Sequence, residues 1–271
     1  MSKLCKKKRI HLFNSIVFGV AFIVLLLLNV GKSYDISLYT VGIAFLYATL
    51  TLGAQLFTIK AVQLGDVSVT SLIYYCGFII PTIFSSIIWK ESFNAFKILG
   101  LVLIIISFVF SVEKKGKKGN WAWLITALLA MLCSGCIGIV QKVFSKSEYG
   151  CELRPMLCLA FAILTIVCLF LFFITKRKVD ADDGETETDK KSGWKKETFA
   201  AIGMGFSTAI PNVINTYLSG IIPGIIFFPV VNGGAILLAM LGGRLFFKEK
   251  LTKRKMFAIF IGLLAIVFLV L

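Results

Sequence analysis

Long apolar runs, separated by short polar or charged segments, make up most of the chain. A helix of about 20 apolar residues crosses a bilayer core of roughly 30 Å, and nine runs approach or exceed that length. The runs are 10–30, 38–59, 67–89, 95–112, 121–143, 155–175, 198–219, 222–246 and 256–271. Because they are continuously apolar rather than alternating, they favour helices over membrane-barrel strands. The pattern predicts an all-α polytopic transmembrane bundle of about nine helices.

Composition and charge narrow the class of protein. Hydrophobic residues make up 58% of the chain and charged residues 16%, with a mean hydropathy of +0.90. Soluble domains are about 45–50% apolar and spread their polar residues over the surface. The values therefore exclude a soluble enzyme, a disordered chain and a nucleic-acid-binding domain. The net charge of +15 is typical of loops that contact anionic lipid headgroups.

The basic residues predict the orientation. With a cytoplasmic N-terminus, 23 of the 29 Lys and Arg residues fall on inner segments, and the other six, Lys142 among them, are assigned to outer loops. The positive-inside rule therefore predicts a multi-pass protein of the cell membrane with its N-terminus inside and Leu271 outside. The first run is longer than a signal-peptide core and lacks a small-residue cleavage site, so it is expected to stay as a helix. The polar segment 176–197 lacks EF-hand spacing and is expected to be a solvated loop.

The chain resembles itself at an offset of 158 residues. The matching positions are Trp89-Lys90-Glu91 with Phe247-Lys248-Glu249, Lys97 with Lys255, and Val109-Phe110 with Val267-Phe268. The charge distribution places the first Lys-Glu loop outside and the second inside. Two similar units of opposite orientation are typical of secondary transporters. The offset predicts an inverted repeat, with four helices in residues 1–116 and five in residues 117–271.

Short motifs accompany this repeat. They are Leu64-Gly65-Asp66-Val67-Ser68-Val69, Pro81, Trp89-Lys90-Glu91-Ser92-Phe93, Gly100 and Phe247-Lys248-Glu249-Lys250-Leu251. In this order they resemble the EamA-type unit of the drug/metabolite transporter superfamily. The resemblance implies ten helices in two inverted units of five, with both ends cytoplasmic. This chain departs from that pattern, since its first repeat has one helix fewer and its basic loops give the opposite orientation. Either it is a nine-helix variant, or the first helix would precede Met1.

The ionisable residues avoid the middle of the runs. All 14 Asp and Glu residues lie between runs or at their ends, so a carboxylate proton relay has no obvious residue. Glu91 and Glu249 are expected to cap the following helix or to pair with a neighbouring lysine. The polar residues inside the runs are neutral. Since an unsatisfied polar group is costly in hydrocarbon, such residues line a cavity or join helices.

Two helix faces and one repeat-related pair carry these neutral residues. Tyr47, Thr51 and Gln55 share a face of the second run, and Thr208, Asn212 and Asn215 share a face of the seventh beside Pro211. The offset aligns Tyr74 with Asn232. Each position also fits an interhelical hydrogen bond. The predicted substrate-binding residues are Tyr47, Gln55, Tyr74, Asn212, Asn215 and Asn232, which we expect to meet in one cavity near the bilayer midplane, between the repeats.

Other sequence features favour neither metal nor catalytic chemistry. Cys133-Ser134-Gly135-Cys136 has redox spacing, but its small residues within an apolar run favour close helix packing. His11 is the only histidine, which excludes multi-histidine metal sites. No Walker A motif or nucleophile–base pair is present, so neither an enzyme nor a bound cofactor or metal is expected.

The sequence thus predicts a secondary transporter that moves a small organic metabolite or drug by alternating access. The alternative is a lipid-carrier flippase or a non-transporting membrane partner protein. Its expected partners are a small-molecule substrate and the lipid bilayer, with no nucleic acid. Substrate identity, efflux or import, the coupling ion and the oligomeric state stay open.

Overall fold

The structure is a computed structural model that describes residues 3–30, 36–91, 94–111, 120–182, 191–247 and 253–271. All regular secondary structure in these ranges is helical. The helices are α1 Lys3–Leu28, α2 Leu38–Leu64, α3 Val67–Tyr75, α4 Ile79–Ile88, α5 Ala95–Ser111, α6 Trp121–Lys146, α7 Leu153–Asp182, α8 Lys191–Ile221, α9 Gly224–Phe247 and α10 Lys253–Val270. Each predicted run coincides with one of these helices or, for 67–89, with α3 and α4 together. The prediction of a polytopic all-α bundle is confirmed.

Five helical segments in the described ranges are long and apolar enough to cross a membrane. They are Ile10–Leu28, Leu38–Leu64, Val67–Ile88, Trp121–Lys146 and Gly150–Lys176. Three shorter apolar helices are Ala95–Ser111, Gly224–Leu238 and Met256–Val270. The chain is therefore a multi-pass membrane protein. The remaining long helix, α8, contains Thr208, Asn212 and Asn215, which lower its hydropathy.

The third predicted run is not one continuous α-helix. A 3-10 turn at Cys76–Phe78 separates α3 from α4. At this turn the backbone lies close to α6: a Cβ atom on Gly77 would be 2.8 Å from the carbonyl oxygen of Met131. Glycine permits this approach because it has no side chain. Pro81 also disfavours a continuous helix here, because it has no N–H to donate to the Gly77 carbonyl and its ring crowds that oxygen. The break thus coincides with a proline and with the contact to α6.

The expected loop at 176–197 is shorter than predicted. Helix α7 continues to Asp182 and α8 begins at Lys191, so only residues 183–190 lie outside the described ranges in this segment. Charged residues near the ends of a spanning helix reach water without breaking its backbone hydrogen bonds. The fall in hydropathy after residue 175 therefore indicates where the membrane-spanning part ends, whereas the helix itself continues.

Two compact units are distinguished by their internal packing. The first comprises Met1–Thr49 and Phe144–Tyr217. Helices α1 and α7 pack together in it, with the ring centroids of Phe18 and Phe161 6.0 Å apart. The second unit comprises Leu50–Val143 and Leu218–Leu271. In it α5 packs on α10 and α4 packs on α9.

The second unit has a well-defined apolar core. Its buried side chains come from the turn between α3 and α4 and from α5, α9 and α10; they are Phe78, Ile104, Phe108, Phe227, Phe228, Ala265 and Leu269. Each unit draws on both halves of the sequence. The division at residues 116 and 117 concerns repeated sequence and stays a prediction.

Candidate functional site

Tyr47 and Asn212, both predicted to bind substrate, contact each other within the first unit. The Tyr47 hydroxyl donates a hydrogen bond of 2.6 Å to Asn212 Oδ1. The Asn212 Nδ2 atom donates to the carbonyl oxygen of Thr208, one turn earlier on α8. The side chain of Tyr47 is 2% exposed, and its ring lies edge-on to Phe161. This pair joins α2 to α8 and uses both polar atoms of the amide.

The other predicted residues are half-buried. Asn215 lies on α8 in the first unit, and Gln55, Tyr74 and Asn232 lie on α2, α3 and α9 in the second. Asn232 Nδ2 donates to the carbonyl oxygen of Phe228 on its own helix. Tyr74 forms an edge-to-face pair with Tyr75, with ring centroids 5.7 Å apart. The convergence of these residues on one cavity stays a prediction.

Thr51 adds an unsatisfied polar atom to the α2 face that carries Tyr47 and Gln55. Its Oγ1 atom is buried and has no hydrogen-bond partner among the described residues. Most buried hydroxyls find a partner, from protein, water or ligand. The turn of α2 between Tyr47 and Gln55 therefore has hydrogen-bonding capacity that a polar ligand group or a water molecule would use.

Glu91 has several polar contacts among the described residues, and they differ from those expected from the sequence. Glu91 was expected to cap the following helix or to pair with a neighbouring lysine. Instead, it accepts hydrogen bonds of 3.0 Å from Gly224 N and Ile225 N, at the start of α9. Its Oε1 atom also lies 2.5 Å from Lys142 Nζ on α6 and accepts a 2.7 Å hydrogen bond from Ser85 Oγ on α4.

Lys142 was assigned to an outer loop, and the structure corrects this. It lies inside α6, which continues to Lys146, and its side chain is only 1% exposed, against 10% for Glu91. A buried ammonium needs a partner because the loss of its hydration is costly. A lysine that falls within an apolar run, as Lys142 does in 121–143, was the available signal. Its partner, 51 positions away, was not recognisable from the sequence.

The backbone around Glu91 directs two side chains to Lys142. Lys142 Nζ lies 5.1 Å from the ring centroid of Trp89, in the range of a cation–π interaction. Between Trp89 and Glu91, Lys90 adopts a left-handed conformation with φ of 50°, which is uncommon for a residue with a side chain. Glycine is required at position 224, because a Cβ atom there would overlap Ser85 Oγ.

The carboxyl group of Glu91 is strongly acidic. Burial raises its pKa, but the hydrogen bonds from Lys142, Gly224, Ser85 and Ile225 outweigh that effect and bring the pKa from 4.5 down to about 2. The positive end of the α9 macrodipole acts in the same direction. Glu91 therefore stays ionised at every physiological pH in this conformation.

The motif around Asp66 has a structural explanation. Asp66 Oδ1 accepts hydrogen bonds from Ser68 N and Val69 N, which caps the first turn of α3. A Cβ atom on Gly65 would overlap the ring of Trp123, and Trp123 Nε1 donates a 2.9 Å hydrogen bond to Thr70 Oγ1. Glycine at 65 and a capping residue at 66 thus fix the start of α3 against α6.

The Cys133–Cys136 segment packs as predicted. A Cβ atom on Gly135 would lie 2.6 Å from the side chain of Ile80 and 2.8 Å from the carbonyl oxygen of Gly77. This is the close helix contact expected of small residues in a membrane bundle. Among the described residues, no group of three or more His, Cys, Asp or Glu side chains is placed to hold a metal ion.

Contacts between α5 and α10 occur in pairs related by the 158-residue offset. Ser107 Oγ donates to the carbonyl oxygen of Ala258 at 2.7 Å, and a Cβ atom on Gly100 would lie 3.0 Å from the carbonyl oxygen of Ala265. The two contacts are equivalent under the offset: Ser107 corresponds to Ala265, and Ala258 corresponds to Gly100. A higher residue number on α5 pairs with a lower residue number on α10, so the two helices are antiparallel. Helices related by a two-fold axis make such exchanged contacts.

A second exchanged pair lies nearer the ends of these helices. Phe96 stacks on Phe268 with ring centroids 6.2 Å apart, and at the equivalent positions Arg254 lies 5.7 Å from the ring centroid of Phe110. The first contact joins two aromatic rings and the second joins an arginine to a ring, but both occur at equivalent positions of the two helices. These contacts and the antiparallel course of α5 and α10 agree with an inverted repeat.

Comparison with known proteins accords with the membrane bundle and its motifs. Residues 1–112 match the model of the EamA-like transporter family. The resemblance found in the sequence is thus confirmed over this segment. No curated protein sequence matches the chain.

A solved crystal structure has a similar fold. The TM-score is 0.72, over 95% of this chain and 86% of that chain, at 14% sequence identity. At this identity the likeness concerns the fold alone. The EamA-like segment contains Glu91 and Asp66, whereas Lys142 and the start of α9 lie beyond it. The three-dimensional contacts of Glu91 therefore add information that the family match does not contain.

Proposed function

We propose that the protein is a secondary transporter that carries a small organic metabolite or drug across the cell membrane by alternating access. The match of residues 1–112 to the EamA-like transporter family carries this proposal. The paired contacts between α5 and α10 support it, because alternating access in inverted-repeat transporters relies on two structurally equivalent halves. The proposed orientation is that predicted by the positive-inside rule, with the N-terminus inside and the C-terminus outside.

The polar residues on the helices support an uncharged or weakly charged recognition surface. We propose that Tyr47, Asn212 and Asn215 in the first unit and Gln55, Tyr74 and Asn232 in the second contact the substrate. The unsatisfied hydroxyl of Thr51 lies on the same helix as Tyr47 and Gln55. Hydroxyls, amides and tyrosine rings suit an amphiphilic ligand that combines hydrogen-bonding groups with an apolar or aromatic surface.

Transport into proteoliposomes tests the proposal. The purified protein is reconstituted, incubated with a labelled metabolite pool with and without a pH gradient, and compared with empty liposomes. Accumulation of a small organic solute supports the proposal, and its dependence on the gradient identifies coupling to protons. A parallel assay follows the movement of a fluorescent lipid between leaflets. Lipid movement without solute uptake would establish the flippase alternative, and neither activity would favour a non-transporting membrane partner.

A further inference from the structure

The N-terminus of α9 depends on a carboxylate from a distant part of the chain. Gly224 N and Ile225 N both donate to Glu91, which is more than 130 positions away. The equivalent helix start in the first repeat is different, because the 158-residue offset aligns Gly224 with Asp66, and Asp66 caps its own helix. One repeat thus contains a local helix cap, and the other depends on a tertiary contact.

This difference has a physical consequence. The first four N–H groups of a helix have no partner within the helix and must bind a side chain, water or a ligand. Asp66 moves with α3, so the start of α3 is capped in any arrangement of the bundle. The start of α9 is capped by this carboxylate only while Glu91 is seated on it. When Glu91 leaves, water must reach Gly224 and Ile225.

The same carboxylate holds two further helices. Ser85 lies near the end of α4 and is fully buried, and Lys142 lies near the end of α6 with 1% exposure. The predicted topology puts the ends of α4 and α6 and the start of α9 on one side of the membrane, the outer side. Release of Glu91 would leave the Lys142 ammonium buried without its counter-ion, which is strongly unfavourable unless water enters. Separation of these helix ends and hydration of the site are therefore coupled.

The Glu91 segment also stores conformational strain. Lys90 has a φ of 50°, and non-glycine residues held in this region often lie at switches or functional sites. A buried ion pair is weak evidence for stability compared with an apolar contact, and its better-attested role is to specify one arrangement among several. Both features fit a contact that forms and breaks.

We propose that Glu91 is a latch: seated on α9 and Lys142, it closes the outer end of the second unit, and its release opens that end to water during the transport cycle. This inference rests on the proposed transport function and adds to it the device that controls access at one side. The segment Trp89–Glu91 acts as the moving part, and Ser85, Lys142 and the first turn of α9 form its seat.

Cysteine accessibility tests the latch without a substrate. All seven native cysteines are replaced, and Thr82→Cys is introduced as a reporter. Thr82 is 1% exposed, lies one turn from Ser85 on α4 and has no role in the seat. The rate of its reaction with a charged, membrane-impermeant thiosulfonate is measured in proteoliposomes. Because Glu91→Gln keeps the shape of the side chain but removes the ion pair, it should raise the labelling rate about tenfold.

Two further variants make the result decisive. Glu91→Asp keeps the charge but is one methylene too short to reach all of its donors, so it should give an intermediate rate. Asp66→Ala removes the equivalent cap on α3 without touching the latch, and it should label at the parental rate. All rates refer to the monodisperse folded fraction, and Glu91→Asp provides the comparison where Glu91→Gln does not fold.

The outcomes separate the latch from a static helix cap. If the folded Glu91 variants label at the parental rate, Glu91 is only a structural cap and the proposal is wrong. If Asp66→Ala labels as fast as Glu91→Gln, the reporter senses general loosening and the proposal is equally wrong. Labelling does not require transport, so failure here leaves the uptake assay to decide the proposed function independently.

Discussion

The Tyr47 hydroxyl donates a 2.6 Å hydrogen bond to Asn212 Oδ1 and thereby joins α2 to α8. The sequence predicted both residues as part of a substrate site, but it did not predict that they bind each other. Asn212 is also bonded through Nδ2 to the carbonyl oxygen of Thr208. Tyr47 and Asn212 therefore stabilise the first unit, and any role in binding substrate is additional.

Tyr47→Phe is expected to destabilise the protein. It removes one hydroxyl and leaves Asn212 Oδ1 without this donor, which lowers the free energy of unfolding by about 1–3 kcal/mol. Asn232→Ala is the matched comparison, because the Asn232 amide bonds to its own helix. It should change the unfolding free energy by less than about 1 kcal/mol while reducing transport. Thermal unfolding in detergent and uptake in proteoliposomes measure the two effects, and normal uptake by Asn232→Ala would remove it from the site.

Gly100→Ala should weaken the packing of α5 on α10. The new methyl group would lie 2.7 Å from Leu269 Cγ and 3.0 Å from the carbonyl oxygen of Ala265, so the backbone must shift. Overpacking of this kind costs about 1–3 kcal/mol. Gly234→Ala on α9 is the control, since nothing lies within 4 Å of its added Cβ and alanine favours helix. Equal thermal stability of the two variants would contradict the close contact.

The contribution of Glu91 to stability should depend on pH only in strongly acidic solution. Its pKa falls from 4.5 to about 2 in the folded protein. Since the folded state binds the proton less tightly, the stabilisation is complete above pH 4.5 and is lost as the pH falls through 2. The difference in unfolding free energy between the parent and Glu91→Gln should be constant from about pH 8 to pH 5 and shrink below it. A difference that changes near neutrality would contradict this ionisation.

The orientation is tested with two single-cysteine proteins. Cys5 precedes the first apolar run and is expected inside, whereas Cys151, which is exposed in the segment between α6 and α7, is expected outside. An impermeant thiol reagent applied to intact cells should label only Cys151, and permeabilised cells should show both. Labelling of Cys5 alone in intact cells would reverse the topology.

The helical character of the apolar runs was predictable because it depends on a local property. A run of apolar residues as long as the bilayer is thick forms a helix whichever neighbours it meets. Pro81 was a signal for the break at Cys76–Phe78, since a proline disfavours the helical hydrogen bond to the residue four positions earlier, but the approach of Gly77 to the backbone of α6 was not predictable from residues 67–89. Likewise, hydropathy did not report that α7 extends to Asp182, because a helix does not end where the membrane ends.

In the candidate site, too, some features followed from the sequence and others only from the tertiary structure. The sequence by itself determined which polar residues lie inside apolar runs, among them Tyr47 and Asn212, because the cost of burying a polar group acts on each residue alone. Only the tertiary structure decided their partners. It also moved Lys142 from a loop into the core and placed Glu91 at the start of α9. Such pairing depends on which helix ends meet, and residues that are 51 or 133 positions apart meet only once the whole second unit has folded.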